Sequence, residues 1–362
     1  MIKTEFYDFD RIFLLSDLHF GIKSNSLEWF ENQMDYFYNF YIPYIEENKT
    51  NKSILVICGD TFDNKELIDI FVQNKVVDLF VQISKMLPIY FILGNHDIYK
   101  RDDVDINSLD VSFSRIKNVN IINNNLILNS SNKKVLMLSW NVNYAELRDI
   151  IEKESPDYAF CHSNILGFKN DNMTSITHGI DLKNIKNTLI FSGHIHKRQG
   201  SNNIIYLGSP YHTKRSDIGN RKGVYYIDTL NDRVDFKYND YSPIFQKINN
   251  KDVIKLLKEN NINELVNIFN NNYTDIVTTF SELKDFDFQK FVKFLNDNGC
   301  QYKQIEMEMV GDNITNTVVD VKTNNNQNIE SIINEAIEKL TVNDNVKFKL
   351  KEINKNFLLS IN

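Results

Sequence analysis

Six times in the first two thirds of the chain, a short apolar run ends abruptly on a glycine, aspartate or histidine. The runs cover residues 12–16 before Asp17, 54–58 before Gly59 and Asp60, and 89–93 before Gly94 and Asn95. Three more cover 158–161 before His162, 189–192 before Gly193 and His194, and 204–207 before Gly208. Continuous apolar runs of this length, bounded by turn residues, predict strands buried on both faces. Ligands of α/β sheets gather beyond the carboxyl ends of the strands, so the polar residues at these junctions are expected to converge on one site.

Helical spacing fills the gaps between the early strands. One such pattern is 27–45, and another is 67–83, with Leu67, Ile70, Phe71, Val77, Phe80 and Val81 as its apolar positions. Strands at 135–138, 204–207 and 224–227 lack comparable helices between them, so part of the sheet must be antiparallel or mixed. The expected fold class is therefore α/β, with two packed mixed β-sheets flanked by helices over residues 1–240. From about residue 241 the strand-end junctions cease and no histidine follows. Residues 241–327 predict a smaller α/β capping domain. Its strands lie near 245–248 and 275–279, its helices run through Ile262 and Phe269 and through Phe288 to Leu295, and an alternating strand carries Ile305, Met307 and Met309 ahead of one more strand. Residues 328–362 predict a helical tail, with Asn328 as cap and a last amphipathic stretch from Val346 to Ile361 that is suited to docking on a partner.

Composition narrows the classes. The 362 residues are 42% hydrophobic and 12% aromatic, ample for a packed interior. No apolar run approaches the roughly 18 residues of a membrane span, and the N-terminal stretch lacks the apolar core of a signal peptide. The expected location is the cytoplasm, a host's if the chain is viral. Cys58, Cys161 and Cys300 are too few and too scattered for a disulfide framework or a thiolate zinc site, and the first two read as small buried hydrophobes. A net charge of −7 weighs against a freestanding nucleic-acid binder, although bound divalent cations would change the local balance.

The polar residues at the junctions form an ordered set: Asp17-x-His19, Gly59-Asp60-x-x-Asp63, Gly94-Asn95-His96-Asp97, His162, and Gly193-His194-x-His196. Any one of these is weak, but four in order at strand ends are specific. Carboxylate, amide oxygen and imidazole without thiolate suit hard to borderline divalent ions, Mn²⁺ first among them. Asp17, His19, Asp60, Asn95, His162, His194 and His196 are the candidate ligands of two such ions, and Asp60 in the middle of the set is the natural bridge. His96 follows a ligand directly and points to another side of its loop, so it is free to act as general acid or charge stabiliser, with Asp63 to orient it. The basic pairs Lys197-Arg198, Lys214-Arg215 and Arg221-Lys222 follow these motifs and are candidates to hold nucleic-acid phosphates, with solvated surface as the competing reading. His178 and His212 read as histidines without metal.

The series resembles the calcineurin-like metallophosphoesterase superfamily, and within it the SbcD-type DNA repair and recombination nucleases. The resemblance rests on Ser16-Asp17-Leu18-His19-Phe20-Gly21, Gly59-Asp60-Thr61-Phe62-Asp63, Ser192-Gly193-His194-Ile195-His196, and Gly208-Ser209-Pro210 with Lys222-Gly223. It implies two metals on the seven candidate ligands, catalysis by His96 and an acid or histidine partner at the position of Asp63. It further implies a metal-dependent DNA exonuclease or endonuclease that works as a homodimer with a coiled-coil ABC-type ATPase subunit, gripped by the C-terminal segment. His162 is followed by Ser163 where many members carry glutamine or glutamate.

Other functions compete. A protein phosphatase usually needs an arginine after the second motif, whereas Asn64 and Lys65 follow Asp63. A small-molecule or nucleotide phosphodiesterase would use the same metals but has no need of the capping unit and tail. A non-catalytic scaffold should have lost ligands, and all seven are present.

Overall fold

The computed structural model describes residues 2–100, 103–279, 282, 286–310, 337, 338, 347 and 351. The expected tail at 328–362 and the last strand of the expected capping unit therefore lie outside the described residues, four positions of the tail excepted. The sheets and the site described below belong to the compact unit formed by Met1–Thr278 and Lys284–Glu308.

In chain order the first strands are β1 (Lys3–Phe6), β2 (Arg11–Leu15), β3 (Ser53–Cys58), β4 (Ile89–Ile92), β5 (Ile98–Lys100), β6 (Asp103–Asn107), β7 (Val119–Ile122), β8 (Leu126–Asn129) and β9 (Lys134–Leu138). They are followed by β10 (Tyr158–His162), β11 (Leu189–Gly193), β12 (Gln199–Ser201), β13 (Ile204–Tyr206), β14 (Gly223–Asp228), β15 (Arg233–Tyr238), β16 (Phe245–Asn249), β17 (Tyr273–Thr278) and β18 (Gln304–Met309). One sheet has the order β1-β8-β9-β10-β11-β13-β12 and a second the order β15-β14-β2-β3-β4-β7. Both are mixed. Strands β2, β3, β4 and β7 run parallel, whereas β14 is antiparallel to both β2 and β15.

The pleat explains why these runs are apolar without alternation. Along β2 and β3, Ile12, Leu14, Ile54, Val56 and Cys58 face the other sheet, where they meet Val135, Met137, Phe160 and Phe191. Their neighbours Phe13, Leu15, Leu55 and Ile57 face the helices and pack on Phe37, Tyr41, Leu79 and Phe80. Successive side chains point to opposite faces, and here both faces are covered. Behind the seven-stranded sheet the helix Tyr144–Glu154 covers a third apolar layer through Leu147 and Ile151.

The helical stretch expected at 27–45 runs from Leu27 to Asn48 with a π-helical turn at Phe37–Tyr41. Pro43, the second residue of the segment after that turn, has no N–H to offer, which disrupts the regular hydrogen-bond ladder there. The helix expected at 67–83 spans Ile70–Ser84. Asp69 caps it, accepting from Phe71 N at 2.8 Å and Val72 N at 3.2 Å, a cap worth about 1 kcal/mol. Its buried face is Val72, Val76, Leu79, Phe80 and Ile83, whereas Leu67, Ile70 and Phe71, apolar in the same pattern, are exposed.

A third sheet, β16-β17-β18, carries its own apolar cluster with Val253, Leu265, Phe269, Phe291 and Leu295. The helices Asn250–Lys258, Ile262–Phe269 and Phe288–Asp297 supply it. No described helix is long and apolar enough to cross a membrane.

Candidate metal centre

Strands β2, β3, β4, β10 and β11 deliver the sequence motifs at their carboxyl ends, and the two sheets bring those ends together. Two glycines show how close the approach is. A Cβ on Gly59, which has φ +85°, would stand 2.3 Å from His162 Nδ1, and one on Gly193 would stand 2.0 Å from Ser16 Oγ. No other residue fits at either position. Four of the candidate ligands also adopt the left-handed region: Asp17 (φ 54°), His19 (φ 49°), Asp60 (φ 54°) and His194 (φ 89°). Such backbone is uncommon for residues with a side chain, and its concentration on strand-end polar residues is a mark of a functional site.

All seven candidate ligands lie in one cluster. Asp17, His19 and His196 present ligand atoms within 4.8 Å of one another, and Asp60, His162 and His194 do the same. Asp60 stands between the groups, its Oδ2 lying 3.7 Å from His19 Nε2 and 3.3 Å from His162 Nε2. Asn95 Oδ1 joins the second group, 3.1 Å from His162 Nε2 and 2.8 Å from His194 Nδ1. The His194 N–H donates to the Asp17 carboxylate at 3.0 Å, tying the two groups through the backbone. His162 Nδ1 bonds Cys58 O at 2.8 Å, which leaves its Nε2 to face the cluster.

These donors fit divalent cations. The buried ring nitrogens His19 Nε2 and His196 Nδ1 have no hydrogen-bond partner among the described residues. Buried polar atoms are ordinarily satisfied, so orphaned imidazole nitrogens beside buried carboxylates are the signature of ligands. The electrostatics agree. Burial raises the Asp17 carboxyl against the pull of His162. Burial also opposes the charge on Asp60, yet His162, His19 and His96 together hold its carboxyl well below the usual range. His162 is lifted to about 9, because Asp60 and Asp17 outweigh the cost of burying its charge. Burial, with His162 nearby, drops His194 to about 4, and burial with His19 lowers His196. In the metal-free chain protons on His162 thus balance carboxylates that cations would otherwise neutralise.

His96 and Asp63 meet through a different atom from the expected one. His96 Nδ1 lies 2.6 Å from the main-chain oxygen of Asp63, while the Asp63 carboxylate turns to His19, with Oδ1 3.2 Å from Nδ1. Accepting from Nδ1–H, that carbonyl fixes the tautomer and leaves Nε2 of the half-buried ring free. His96 also shares a group of possible ligand atoms with His19 and Asp60, and its N–H donates to Asp60 Oδ1 at 2.9 Å.

One residue that sequence reasoning passed over holds the site together. Asp97 is fully buried and accepts from Asp60 N (2.9 Å), Thr61 N (3.0 Å) and Gly94 N (2.8 Å), binding the second motif to the third. Burial and the Asp60 charge raise its carboxyl to about 7. Its signal was present in the run Gly94-Asn95-His96-Asp97, where a third polar residue directly follows the candidate ligand and the catalytic candidate.

The basic pairs are less free than their positions suggest. Lys222 is 4% exposed and its ammonium is committed to Asp217 Oδ1 (2.8 Å), His196 O (2.6 Å) and Ser209 Oγ (3.0 Å), so burial takes it off the rim. Lys214 pairs with Asp171 at 2.6 Å, and Arg215 with Asp275 (3.0 Å) and Glu306 (2.6 Å). Arg198 lies over the Phe236 ring and exposed Arg221 over Tyr238. Lys197 is half-buried. Away from the cluster, His178 packs edge-on against Tyr144, and His212 accepts from Phe245 N at 3.2 Å. Cys58, Cys161 and Cys300 are free and buried.

Known proteins bear on this geometry. Exonuclease subunit 1 of Enterobacteria phage T4 is 25% identical over 265 residues, which cover 68% of this chain and 75% of that protein. A protein named as a phosphoesterase in invertebrate iridescent virus 6 is 27% identical over 207 residues, 55% of this chain and 69% of its own length. A similarly named protein of invertebrate iridescent virus 3 is 26% identical over 214 residues, 55% of this chain and 56% of its own. Residues 10–198 match the family model described as calcineurin-like phosphoesterase, a span that begins just before β2 and ends past the last candidate ligand. The chain belongs to the calcineurin-like phosphoesterase family.

Proposed function

We infer that this chain is a two-metal DNA nuclease, the nuclease subunit of a repair or recombination complex whose other component is a coiled-coil ABC-type ATPase. The observation that carries the metal-dependent reading is the convergence of seven carboxylate, amide and imidazole donors on one cluster with His96 beside it. Nuclease activity within a multi-subunit assembly is supported by similarity to a phage protein named as an exonuclease subunit, and DNA and the ATPase partner follow from the resemblance to SbcD-type nucleases. A homodimer is supported by apolar side chains exposed around the helices Ile70–Ser84 and Ser108–Phe113. Leu67 is 71%, Ile70 81% and Val111 80% exposed, more than isolated surface residues require.

Asp17, His19 and His196 would hold one cation, and His162, His194 and Asn95 the other, with Asp60 between them. Bound there, two divalent cations, Mn²⁺ by preference, supply Lewis-acid polarisation of a phosphoryl group and lower the pKa of water. The protein's own work is orientation and proton transfer. The Asp63 carbonyl fixes Nδ1–H of His96, so a protonated His96 can give its Nε2 proton to the leaving oxygen as the P–O bond breaks. Trp140 packs against His162 and His194, with ring centres 5.9 and 5.3 Å away, and limits their freedom to turn. Asp97 keeps the Asp60 turn in register with the Asn95–His96 turn.

A second reading, hydrolysis of nucleotides or other small phosphodiesters, is favoured by one observation. Lys214, Arg215 and Lys222 are already paired with carboxylates, in a chain of net charge −7, so these three are not free to track a DNA backbone. The test is Mn²⁺-dependent hydrolysis of end-labelled single- and double-stranded DNA by the full chain, its His96→Ala variant and a chelated control. Cleavage that vanishes in both controls supports the nuclease. Intact DNA alongside hydrolysis of a generic phosphodiester, with the ATPase partner present, moves the substrate to small phosphodiesters.

A further inference from the structure

We propose that Gln33, together with Tyr211, is a positioning residue for the metal ligand His19. The proposal rests on the metal-binding reading above and extends it to residues outside every motif.

Gln33 is 2% exposed and sits on the helix Leu27–Tyr36, on its inward face. Its Nε2 donates to Leu18 O at 2.8 Å and to Tyr211 Oη at 2.9 Å, and lies 3.2 Å from His19 O. Tyr211 Oη, also buried, donates in turn to Leu18 O at 2.6 Å. Two side chains from residues 178 positions apart thus close on two consecutive carbonyls of one loop. That loop is the Asp17-Leu18-His19 segment, in which both ligands have left-handed backbone. Without partners for its carbonyls, such a segment would relax toward commoner conformations and carry the His19 ring with it. A buried carboxamide is disfavoured against a leucine of similar size unless its hydrogen bonds are needed, and these bonds go to the loop.

The helix that presents Gln33 is itself held. Trp29, one turn earlier, stacks on Tyr273 of the three-stranded sheet with ring centres 5.2 Å apart and planes 7° from parallel. Tyr273 Oη also lies 3.1 Å from Glu28 Oε1 and 3.4 Å from Asn32 Nδ2. Residues 29, 32 and 33 are neighbours on one helix face, so Gln33 acts from a fixed support.

The experiment is calorimetric titration of the metal-free full chain with Mn²⁺, for the native protein, Gln33→Leu and Tyr211→Phe. Electron paramagnetic resonance of the bound Mn²⁺ and thermal melts of the metal-free proteins accompany it. Native protein is expected to take two ions in a coupled pair. Gln33→Leu should weaken one site by about tenfold or more, the range found when a residue supporting a ligand is removed, and leave the other near its native affinity. At one equivalent its spectrum should then be that of an isolated ion, and the coupled pair should return at saturating Mn²⁺. Tyr211→Phe, which removes one oxygen, should weaken the same site less. It carries the test alone if Gln33→Leu does not fold. Unchanged affinities, or two sites weakened in equal proportion to a lower melting temperature, would overturn the assignment. A native chain that takes up no Mn²⁺ would sink the metal reading and the assignment with it, whereas normal native binding with unaffected variants sinks the assignment alone.

Discussion

Lys222 separates two accounts of the chain's basic residues, and Lys222→Met decides between them. As a rim cation it would contribute to phosphate binding and little to stability. As the structure places it, the ammonium is enclosed with Asp217, which is 0% exposed, in an ion pair of 2.8 Å. Burial pushes the lysine down while Asp217 holds its charge in place. Removing one partner of such a pair strands the other's charge in the interior, which costs about 3–5 kcal/mol. Over a chain of this size that corresponds to a fall in melting temperature of about 4–7 °C. Asp217 Oδ2 also accepts from Thr213 N at 2.9 Å and Lys214 N at 3.2 Å, so the double variant Lys222→Met/Asp217→Asn keeps those bonds without the charge. It should recover at least half of the loss. Thermal denaturation and DNA binding by fluorescence anisotropy would be followed on the same samples. A melting temperature unchanged within about 1 °C, together with clearly weaker DNA binding, would refute the buried-pair argument and return Lys222 to the rim.

Two further outcomes concern protons. His212 is 9% exposed, and burial, aided by Lys222, lowers it from 6.5 to about 4. The folded state thus favours the neutral ring. Its contribution is complete above pH 6.5 and is lost as the pH falls through about 4, about 3 kcal/mol in all. A His212→Asn variant should flatten that part of the stability curve, and urea unfolding at pH 4–7 measures it. For His162, raised to about 9, the sign is opposite in the metal-free chain: its stabilisation is complete below pH 6.5 and fades as the pH rises through about 9. Mn²⁺ needs the neutral ring, so binding at pH 7 should release a proton and tighten as the pH rises toward 9. Titration in buffers of different ionisation enthalpy counts that proton, and none released would contradict the charge assignment.

Much of the fold was legible because one physical condition wrote it twice. A strand covered on both faces must be apolar at every position, and its end must turn polar where it meets the site. Residues 12–16, 54–58 and 89–93 satisfied both conditions, and their strands end within about a residue of the expected places. The helix expected at 67–83 is a harder case. Leu67, Ile70 and Phe71 keep the apolar character of a core face, but Asp69 begins the helix after Leu67 and points the first turn to solvent. Spacing alone does not distinguish a residue that faces its own core from one that faces a partner.

The candidate donors stand out in the sequence, whereas the residues that support their turns do not. Asp17, His19, Asp60 and His194 announce themselves by residue type, yet no periodicity reveals that all four must hold left-handed backbone. That geometry is imposed by the two sheets, whose strand ends approach so closely that Gly59 and Gly193 have no room for a methyl group. Residues that enforce it, such as Asp97 and Gln33, look in the sequence like an acid after a histidine and an amide in a helix. They differ from ordinary polar residues only in being buried with their hydrogen bonds directed at main-chain atoms of the ligand turns. The strain at the candidate ligands and the burial of these supports are therefore one feature: polar side chains remain in the interior because the turns would not otherwise keep the shape that presents the candidate donors.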